Sequence, residues 1–550
     1  MKNIILVVSF TLSTIFVSAQ TLKWVKQIGE SGFDSGESVN TDADGNVYVT
    51  GKMSSLFFIS KFDANGNKVF TKNIPTVLNK SANVDSSGNI YITGTFKGKV
   101  DFDPEVGVAE LTSQASSSYP YTASDVYVAK YDNLGNFIWA KSFGQEYDDI
   151  VNAILVDVLG DVYVTGDFVG TVDFDPSSAV NSLTASGYNN HDAYILKLSG
   201  AGNYVWAKRM GSDANYDAGN SLSTDAFNNI YIAGQFAQGG IFYYGSGTAT
   251  LPILQASKTS FIVKLNSAGD FVWVKNLGGS VKTIMVDAFE NVYYGADFSG
   301  STGINTDTTA LTLESKGFDD FYISKLSNTG AFVWAKHIGG SVNHDNIQAL
   351  AINNNNLYAT GRYAGVVKFD TNDSTHTLST YSSIHSSFIV NYDTYGNYIW
   401  AVPLGNGSNV GPNEDIGYSV AADNAGNVYV TGTFRYGGSF LGTSLRVQGG
   451  TDGYVVKING LLAGVNSGFS SNTTFRIYPN PATTNITIDL GTTTADTVLV
   501  SIVNILGEEV ISTVETSHVF TIKANSLKSG LYFVTIKSQG KQLTQKLVIN

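Results

Sequence analysis

An all-β chain built mainly from seven similar sheets is predicted by three observations. A strand phrase close to Gly-Asn-Val-Tyr-Val-Thr-Gly recurs seven times, with its tyrosines at Tyr48, Tyr91, Tyr163, Tyr231, Tyr293, Tyr358 and Tyr429. The gaps between them are 43, 72, 68, 62, 65 and 71 residues, too long for a solenoid coil and suited to one four-stranded blade plus a variable loop. Composition agrees: 57 glycines and 61 Tyr plus Phe against 14% charged residues suit tight turns and sheet. The fold expected for residues 20–458 is a seven-bladed β-propeller, followed by a small Ig-like β-sandwich.

Each unit reads as two hairpins. In the last unit an apolar strand, Ser419 to Asp423, meets a Gly/Asn turn and then the Tyr strand from Asn427 to Gly432. The second hairpin is typified by Asp192 to Leu198, a Gly turn, and Asn203-Tyr204-Val205-Trp206-Ala207-Lys208. Apolar residues fill both alternating sets, as expected of strands buried on both faces between neighbouring blades. Gly and Asn at the turns supply positive φ for short hairpin loops.

All six tryptophans, Trp24, Trp139, Trp206, Trp273, Trp334 and Trp400, occupy one slot of the fourth strand, and Phe70 takes that slot in the first full unit. Trp24 precedes the first Tyr strand, whereas the last unit ends at Lys457 without a Trp strand of its own. The register therefore predicts closure by the amino-terminal strand, which would cover an open sheet edge. The first blade is abbreviated, and the second and third carry inserts opening with Val-Asp-Phe-Asp-Pro at 100–104 and 172–176. These are expected to form edge hairpins or loops over one face, where individual identity would be written.

The succession of NVYVTG, F-x-G-x-VDFD, DAYIVK-like and GN-x-x-WAK phrases resembles the bacterial β-propeller repeat family called SBBP, over roughly residues 22–458. That family implies a structure and no single reaction.

The ends of the chain carry address features. Lys2, an apolar run from Ile4 to Val17 and Val17-Ser18-Ala19 before Gln20 have the pattern of a signal peptide over 1–19. No other stretch is long and apolar enough for a membrane helix, and with no cysteine neither disulfides nor a lipidated Cys enters. A net charge of −13 disfavours nucleic acid and anionic membrane surfaces as partners. A Gly/Ser/Asn-rich linker is expected over 459–472. Beyond it, segments at 475–478, 486–490, 498–504, 509–513, 519–523, 531–537 and 541–549 read as the strands of a separate β-sandwich, 473–550.

Its phrases Phe475-Arg476-Ile477-Tyr478-Pro479-Asn480-Pro481, Gly507-Glu508-Glu509-Val510, Leu527-x-x-Gly530-x-Tyr532 and the final Gln545 to Asn550 resemble the type A sorting domain of the type IX secretion system. The resemblance implies passage across the outer membrane, with the secretion and sortase machinery as partners of 473–550, removal of the tail and attachment to surface lipopolysaccharide. An ordinary Ig-like binding module is the plainer alternative.

Candidate sites are weighed against structural roles. Asp34, Asp149, Asp217, Asp345 and Asp415 each stand eight residues before the residue closing the first strand of their blade, which would gather them near a central channel. Five converging acids could hold Ca²⁺ or a cationic ligand group. An Asp entering a strand also makes Asx turns with local N–H groups, and its repetition favours that structural reading. Asp42 to Asn46 resembles the start of a calcium loop without its downstream Glu, so a hairpin turn is the better account. Asp101/Asp103 and Asp173/Asp175 are read as edge charges rather than as cation ligands. His337, His344, His376 and His385 lack metal-site spacing and are read as solvated loop residues. Among non-repeated acids, Glu146, Asp148 and Glu414 are the candidates for a carboxyl pair. The leading expectation is an exported or cell-surface binding or adhesion protein with an unknown glycan or protein ligand. The alternatives are a secreted glycan hydrolase or lyase, and a passive structural surface component.

Overall fold

The computed structural model describes residues 20–459 and 475–549, apart from 55, 76, 104–105, 115–122, 188–189, 213–215, 237–239, 245–246, 252–258, 306–309, 371–374, 381–383, 406–414, 491–497, 505–508, 525–526 and 539–540. The expected signal peptide (1–19) lies outside the described residues, as does the linker (459–472) beyond Asn459. The chain divides into two compact units, one over 20–461 and one over 462–550. No helix occurs among the described residues, and so among them none is long and apolar enough to cross a membrane.

In the larger unit the described residues form seven sheets with four core strands each. The first runs Ser35–Thr41, Val47–Met53, Leu56–Phe62, Lys68–Pro75 in spatial and chain order. The seventh differs: Ile416–Ala422, Asn427–Phe434 and Asp452–Asn459 are followed by Leu22–Ile28, which pairs antiparallel with Asp452–Asn459 and sets Trp24 opposite Lys457. The first strands of the sheets pack in series. Ser35–Thr41 lies on Val77–Val84, then come Ile150–Val156, Ala218–Thr224, Ser280–Val286, Asn346–Asn353 and Ile416–Ala422, and the last packs back on Ser35–Thr41.

Each letter of the repeated phrase has a physical task, seen clearly in the seventh sheet. Asp423 accepts hydrogen bonds from Asn427 N (2.8 Å), Asn427 Nδ2 (2.7 Å) and Tyr429 Oη (2.7 Å), which fixes the hairpin turn and anchors the tyrosine. Val428 and Val430 are buried. Thr431 Oγ1 donates to Tyr454 O (2.6 Å), satisfying a hydroxyl that would otherwise cost free energy in the core. Gly432 is needed because a Cβ there would lie 1.9 Å from Ile416 O. Gly36 of the neighbouring first sheet makes room for Thr431, whose Oγ1 would stand 2.0 Å from a Cβ at that position.

The Trp slot and the strand lysine act together as a latch between sheets. Trp24 packs on Tyr429 of its own sheet at 6.1 Å and on Phe62 of the first sheet at 6.3 Å. Its Nε1 and Lys457 Nζ both donate to Ala64 O, at 3.3 and 3.0 Å, and Lys457 lies 5.1 Å from the Tyr429 ring centroid. The same pair recurs where Trp139 and Lys130 donate to Gly200 O, and where Trp334 and Lys325 donate to Thr394 O. A buried ammonium is tolerated because the ring face and a carbonyl replace its water.

Of the two forms expected for the inserts of the second and third units, the structure has hairpins (Lys99–Asp101 with Glu110–Thr112, Thr171–Asp173 with Ser182–Thr184), and the fourth, sixth and seventh units carry hairpins of the same kind. Their hairpins carry Phe102, Phe174, Phe242, Phe369 and Phe440 into the core, each at most 2% exposed. Each ring packs 4.6–5.1 Å from an aromatic of the third strand: Tyr127, Tyr194, Phe261, Phe388 and Tyr454. Three of these hairpins also pair with the outer strand of the preceding sheet, as Leu404 with Phe440. The Phe of each insert is thus core structure rather than part of a surface device.

The smaller unit has a three-stranded sheet (Arg476–Tyr478, Asn485–Asp489, Val519–Lys523) and a four-stranded one (Glu509–Glu515, Val498–Asn504, Gly530–Ser538, Lys541–Ile549). Alternate residues of both, among them Ile486, Ile488, Val500, Ile502, Val534 and Leu547, form one core.

Candidate functional site

Every first strand carries a β-bulge at the same place, where one residue is left out of the pairing with the second strand. A bulge turns a side chain out of the regular alternation and frees a backbone N–H. Two residues beyond the bulge, backbone N–H groups reach the neighbouring sheet: Val39 N donates to Ser419 Oγ (3.2 Å), Ile284 N to Ser221 Oγ (3.2 Å) and Leu350 N to Thr283 Oγ1 (3.1 Å). The bulged residues themselves are Glu37, Lys80, Asn152, Asn220, Lys282, Gln348 and Tyr418. One backbone device therefore presents acid, base, amide and phenol at equivalent positions, amid a sequence that otherwise repeats.

A second variable position lies beside it, the residue after the motif's Gly (after Ala296 in the fifth copy): Lys52, Thr95, Asp167, Gln235, Asp297, Arg362 and Thr433. The two positions meet within a sheet, as in Lys52–Glu37 (3.9 Å) and Lys282–Asp297 (4.0 Å). In the fifth and sixth sheets they border a cleft of about 360 Å³ whose lining includes Lys282, Asp297, Asp319, His344, Gln348 and Arg362. Asp297 Oδ1 accepts Ile347 N (3.0 Å) and so joins the two sheets. Burial pushes its carboxyl up to about 7, against the pull of Lys282. Arg362 Nε donates to Asn346 Oδ1 (2.9 Å), which fixes the guanidinium. His344 Nδ1 and Asp319 Oδ2 are 2.7 Å apart, with Phe318 stacked on the imidazole at 5.2 Å.

The five aspartates singled out by their spacing are buried, each at most 1% exposed, and their carboxylates are engaged by local backbone. Asp34 accepts Glu30 N (2.7 Å) and Ser54 N (2.5 Å). Asp149 accepts Gln145 N (2.9 Å), Asp217 accepts Ser212 N (2.6 Å), and Asp415 accepts Arg435 N (2.9 Å). Asp345 accepts Gly340 N (2.8 Å) and Ala364 N (2.9 Å). Spacing did not reveal a second buried set at the start of third strands, Asp125, Asp192, Asp320 and Asp452. Its members hold loops in the same way, for example Gln114 N on Asp125 and Lys316 N on Asp320. Among the described residues, no three His, Asp or Glu side chains stand close enough to share a metal ion.

The remaining candidates are placed as follows. Asp42 accepts Asp44 N, Asn46 N, Asn46 Nδ2 and Tyr48 Oη within 3.1 Å, the arrangement of a hairpin turn. Asp101 accepts Asp103 N and Ala109 N, and Asp173 accepts Asp175 N and Asn181 N, so each holds its own insert together. Glu146 and Asp148 are exposed, while Glu414 falls outside the described residues. Although desolvation opposes it, hydrogen bonds from Ser124 and the nearby Lys97 hold the Asp148 carboxyl below its ordinary value, the opposite of what a general acid needs. Of the histidines expected to be solvated loop residues, His344 and His376 stand outside the strands with side chains 44% and 40% exposed, beside Asp319 (2.7 Å) and Asp370 (3.2 Å), whereas His337 lies on a strand, 14% exposed and 2.6 Å from Asp320, and His385 opens the strand His385–Asp393.

The buried carboxyls make stability depend on pH. Burial lifts Asp345 from 3.8 to about 7 and Asp125 to about 6. A carboxyl whose pKa is raised by folding stabilises the fold fully below its unfolded value, and that contribution is lost as pH rises through the folded value. The larger unit is therefore expected to melt at higher temperature at pH 5 than at pH 8. Asp345→Asn should flatten the profile between pH 4 and 7, since each tenfold difference in proton affinity between folded and unfolded chains is worth roughly 1.4 kcal/mol. A melting profile of the variant parallel to that of the unaltered chain would contradict this.

Comparison with known proteins places two pieces of the chain. A family described as secretion system C-terminal sorting domain matches residues 476–550, and one described as beta-propeller repeat (SBBP) matches 399–433. A curated relative, the uncharacterized WD repeat-containing protein L264 of Acanthamoeba polyphaga mimivirus, is 25% identical over 471 residues, covering 75% of this chain. The chain spans 31% of the length of that relative. Similar solved structures include the Dos1 propeller (8% identity, TM-score 0.36, covering 78% of this chain and 82% of that one). The C-terminal WD40 domain of Sif2 is a second (8% identity, TM-score 0.33, 79% and 99%). A third is PorZ of Porphyromonas gingivalis, described as an essential bacterial surface component of the type IX secretion system (12% identity, TM-score 0.19, 96% and 100%). The chain carries an SBBP propeller repeat and a type IX sorting domain, and such a domain implies export to the cell surface or the extracellular space.

Proposed function

We propose that the chain is an exported seven-bladed β-propeller, closed by its amino-terminal strand, that binds a glycan or protein ligand where the seven first strands meet. The observation that carries this reading is the set of bulged residues. A repeat that kept the same side chain at each bulge would need only structure, whereas Glu37, Lys80, Lys282, Gln348 and Tyr418 differ in charge and shape on one shared device. In this reading the five aspartates from Asp34 to Asp415 hold loops rather than Ca²⁺, and the Ig-like tail is recognised and removed by the export and sortase machinery. The test is an array of glycans and extracellular proteins probed with the mature chain and with a Lys282→Ala, Gln348→Ala, Tyr418→Ala triple variant. Signals that vanish in the variant support the reading. No signal from the unaltered chain, as expected of a passive structural component, or signals unchanged in the variant, overturn it.

One observation favours the enzymatic alternative. Asp297 and Asp319 border one cleft, and the Asp297 carboxyl, held near 7, would be half protonated at neutral pH, as a general acid requires. Glycan cleavage abolished by Asp297→Asn with ligand binding retained would establish it.

A further inference from the structure

We propose that the cleft between the fifth and sixth sheets is a site for a hexuronic acid residue of a glycan chain, an inference that rests on the binding function proposed above. Two cations lead to this ligand class, Arg362 held by a hydrogen bond and Lys282 beside Asp297. Arg362 is the one arginine at the seven equivalent positions after the motif's Gly, and its Nε bond to Asn346 leaves the two terminal nitrogens to face a planar anion as a fork. Lys282, the bulged residue of the adjoining sheet, lines the same space with its side chain 39% exposed.

The acids nearby do not cancel this pair. Asp319 is engaged by His344, and Asp297, 4.0 Å from Lys282, is largely buried, accepts Ile347 N and has its carboxyl pushed up to about 7 by desolvation, so that only about half its charge remains at neutral pH. A carboxylate is thereby attracted locally although the whole chain is acidic.

The rest of the lining selects a hydroxylated carrier for that carboxylate. Asp319, Asn346, Gln348, Ser280 and Ser299 supply acceptors as well as donors, whereas inorganic phosphate would leave the acceptors without partners. Phe318, 66% exposed and stacked on the lining residue His344, offers an apolar face next to that imidazole for the C–H side of a pyranose ring. A cleft of about 360 Å³ is small for a folded partner and fits one or two sugar units of a chain that continues into solvent.

The experiment is calorimetric titration of the mature chain with a galacturonic acid trisaccharide, a glucuronic acid trisaccharide, and the carboxyl-reduced form of each. Binding of either acidic sugar, at least about tenfold tighter than its reduced form, is expected. Arg362→Gln should remove that preference, and Lys68→Gln, an exposed charge on the outer strand of the first sheet, should leave it intact. Equal affinity for acidic and reduced sugars, no binding of either acidic sugar, or an unchanged preference in Arg362→Gln overturns the assignment. If these sugars fail while the array shows ligands lost in the triple variant, the uronate assignment falls and the binding function stands. If the array is also silent, both fall.

Discussion

Replacing Trp24 with alanine is expected to destabilise the larger unit by about 2–4 kcal/mol, as much as the same change at Trp139. The two tryptophans are far apart in sequence and identical in task. Trp24 packs on Tyr429 and donates to Ala64 O, and Trp139 packs on Tyr91 at 6.3 Å and donates to Gly200 O. Only Trp24, however, bridges the seventh sheet to the first. Its ring sits so close to the turn of the first sheet that a Cβ on Gly66 would approach it to 2.8 Å. If the seven sheets need to be fastened end to end, loss at Trp24 propagates to every neighbour, and both variants lose stability to a similar extent. If the ends were free in solution, Trp24→Ala would be nearly silent while Trp139→Ala would not. Urea unfolding followed by circular dichroism distinguishes the two, and a Trp24→Ala midpoint equal to that of the unaltered chain would sink the closure. Deleting residues 20–28 should go further, because it bares the edge of Asp452–Asn459 and invites sheet-to-sheet association.

What repeats was legible in the sequence, and what does not repeat was not. The tyrosine strand, the Trp slot and the turn aspartates follow from period, because recurrence in seven settings averages away local noise. The same logic pointed the search for a site at Asp34, Asp149, Asp217, Asp345 and Asp415, whose recurrence reflects a loop-holding task needed in most blades. The bulges escaped because they break the period-2 pattern for a single residue: in Gly36-Glu37-Ser38 nothing marks Glu37 as the extra one until the pairing skips from Gly36 to Ser38. A signal did exist in the phrase itself. The residue after Thr-Gly changes from Lys52 to Asp167 to Arg362 to Thr433 while its neighbours barely change, and variation inside a strict repeat is where function has room. The partners of the histidines were out of reach for another reason. His337 lies 17 residues from Asp320, and only the antiparallel register of the third and fourth strands brings them together.

Truncation after residue 461 is expected to abolish surface display and release while leaving the larger unit folded. The physical ground is the separation of cores. The cluster that includes Phe475, Ile488, Val500, Val534 and Leu547 contains no residue from 20–461, so each unit has a core of its own. Nothing in the folding of the cargo then demands the tail, and its retention fits the address function carried by its match to a sorting domain. Fractionation should find the truncated chain inside the outer membrane, protease-resistant and with an unchanged melting temperature. A single change asks whether the address is read as a folded object or as a linear phrase. Val534 is fully buried between the two sheets of the tail, and Val534→Asp places an unpaired carboxyl there at a cost of several kcal/mol. If the machinery recognises the folded unit, Val534→Asp mislocalises the protein as completely as truncation, although every residue of the tail's recognisable phrases remains. Display of the truncated chain at the level of the intact one would remove the sorting role altogether.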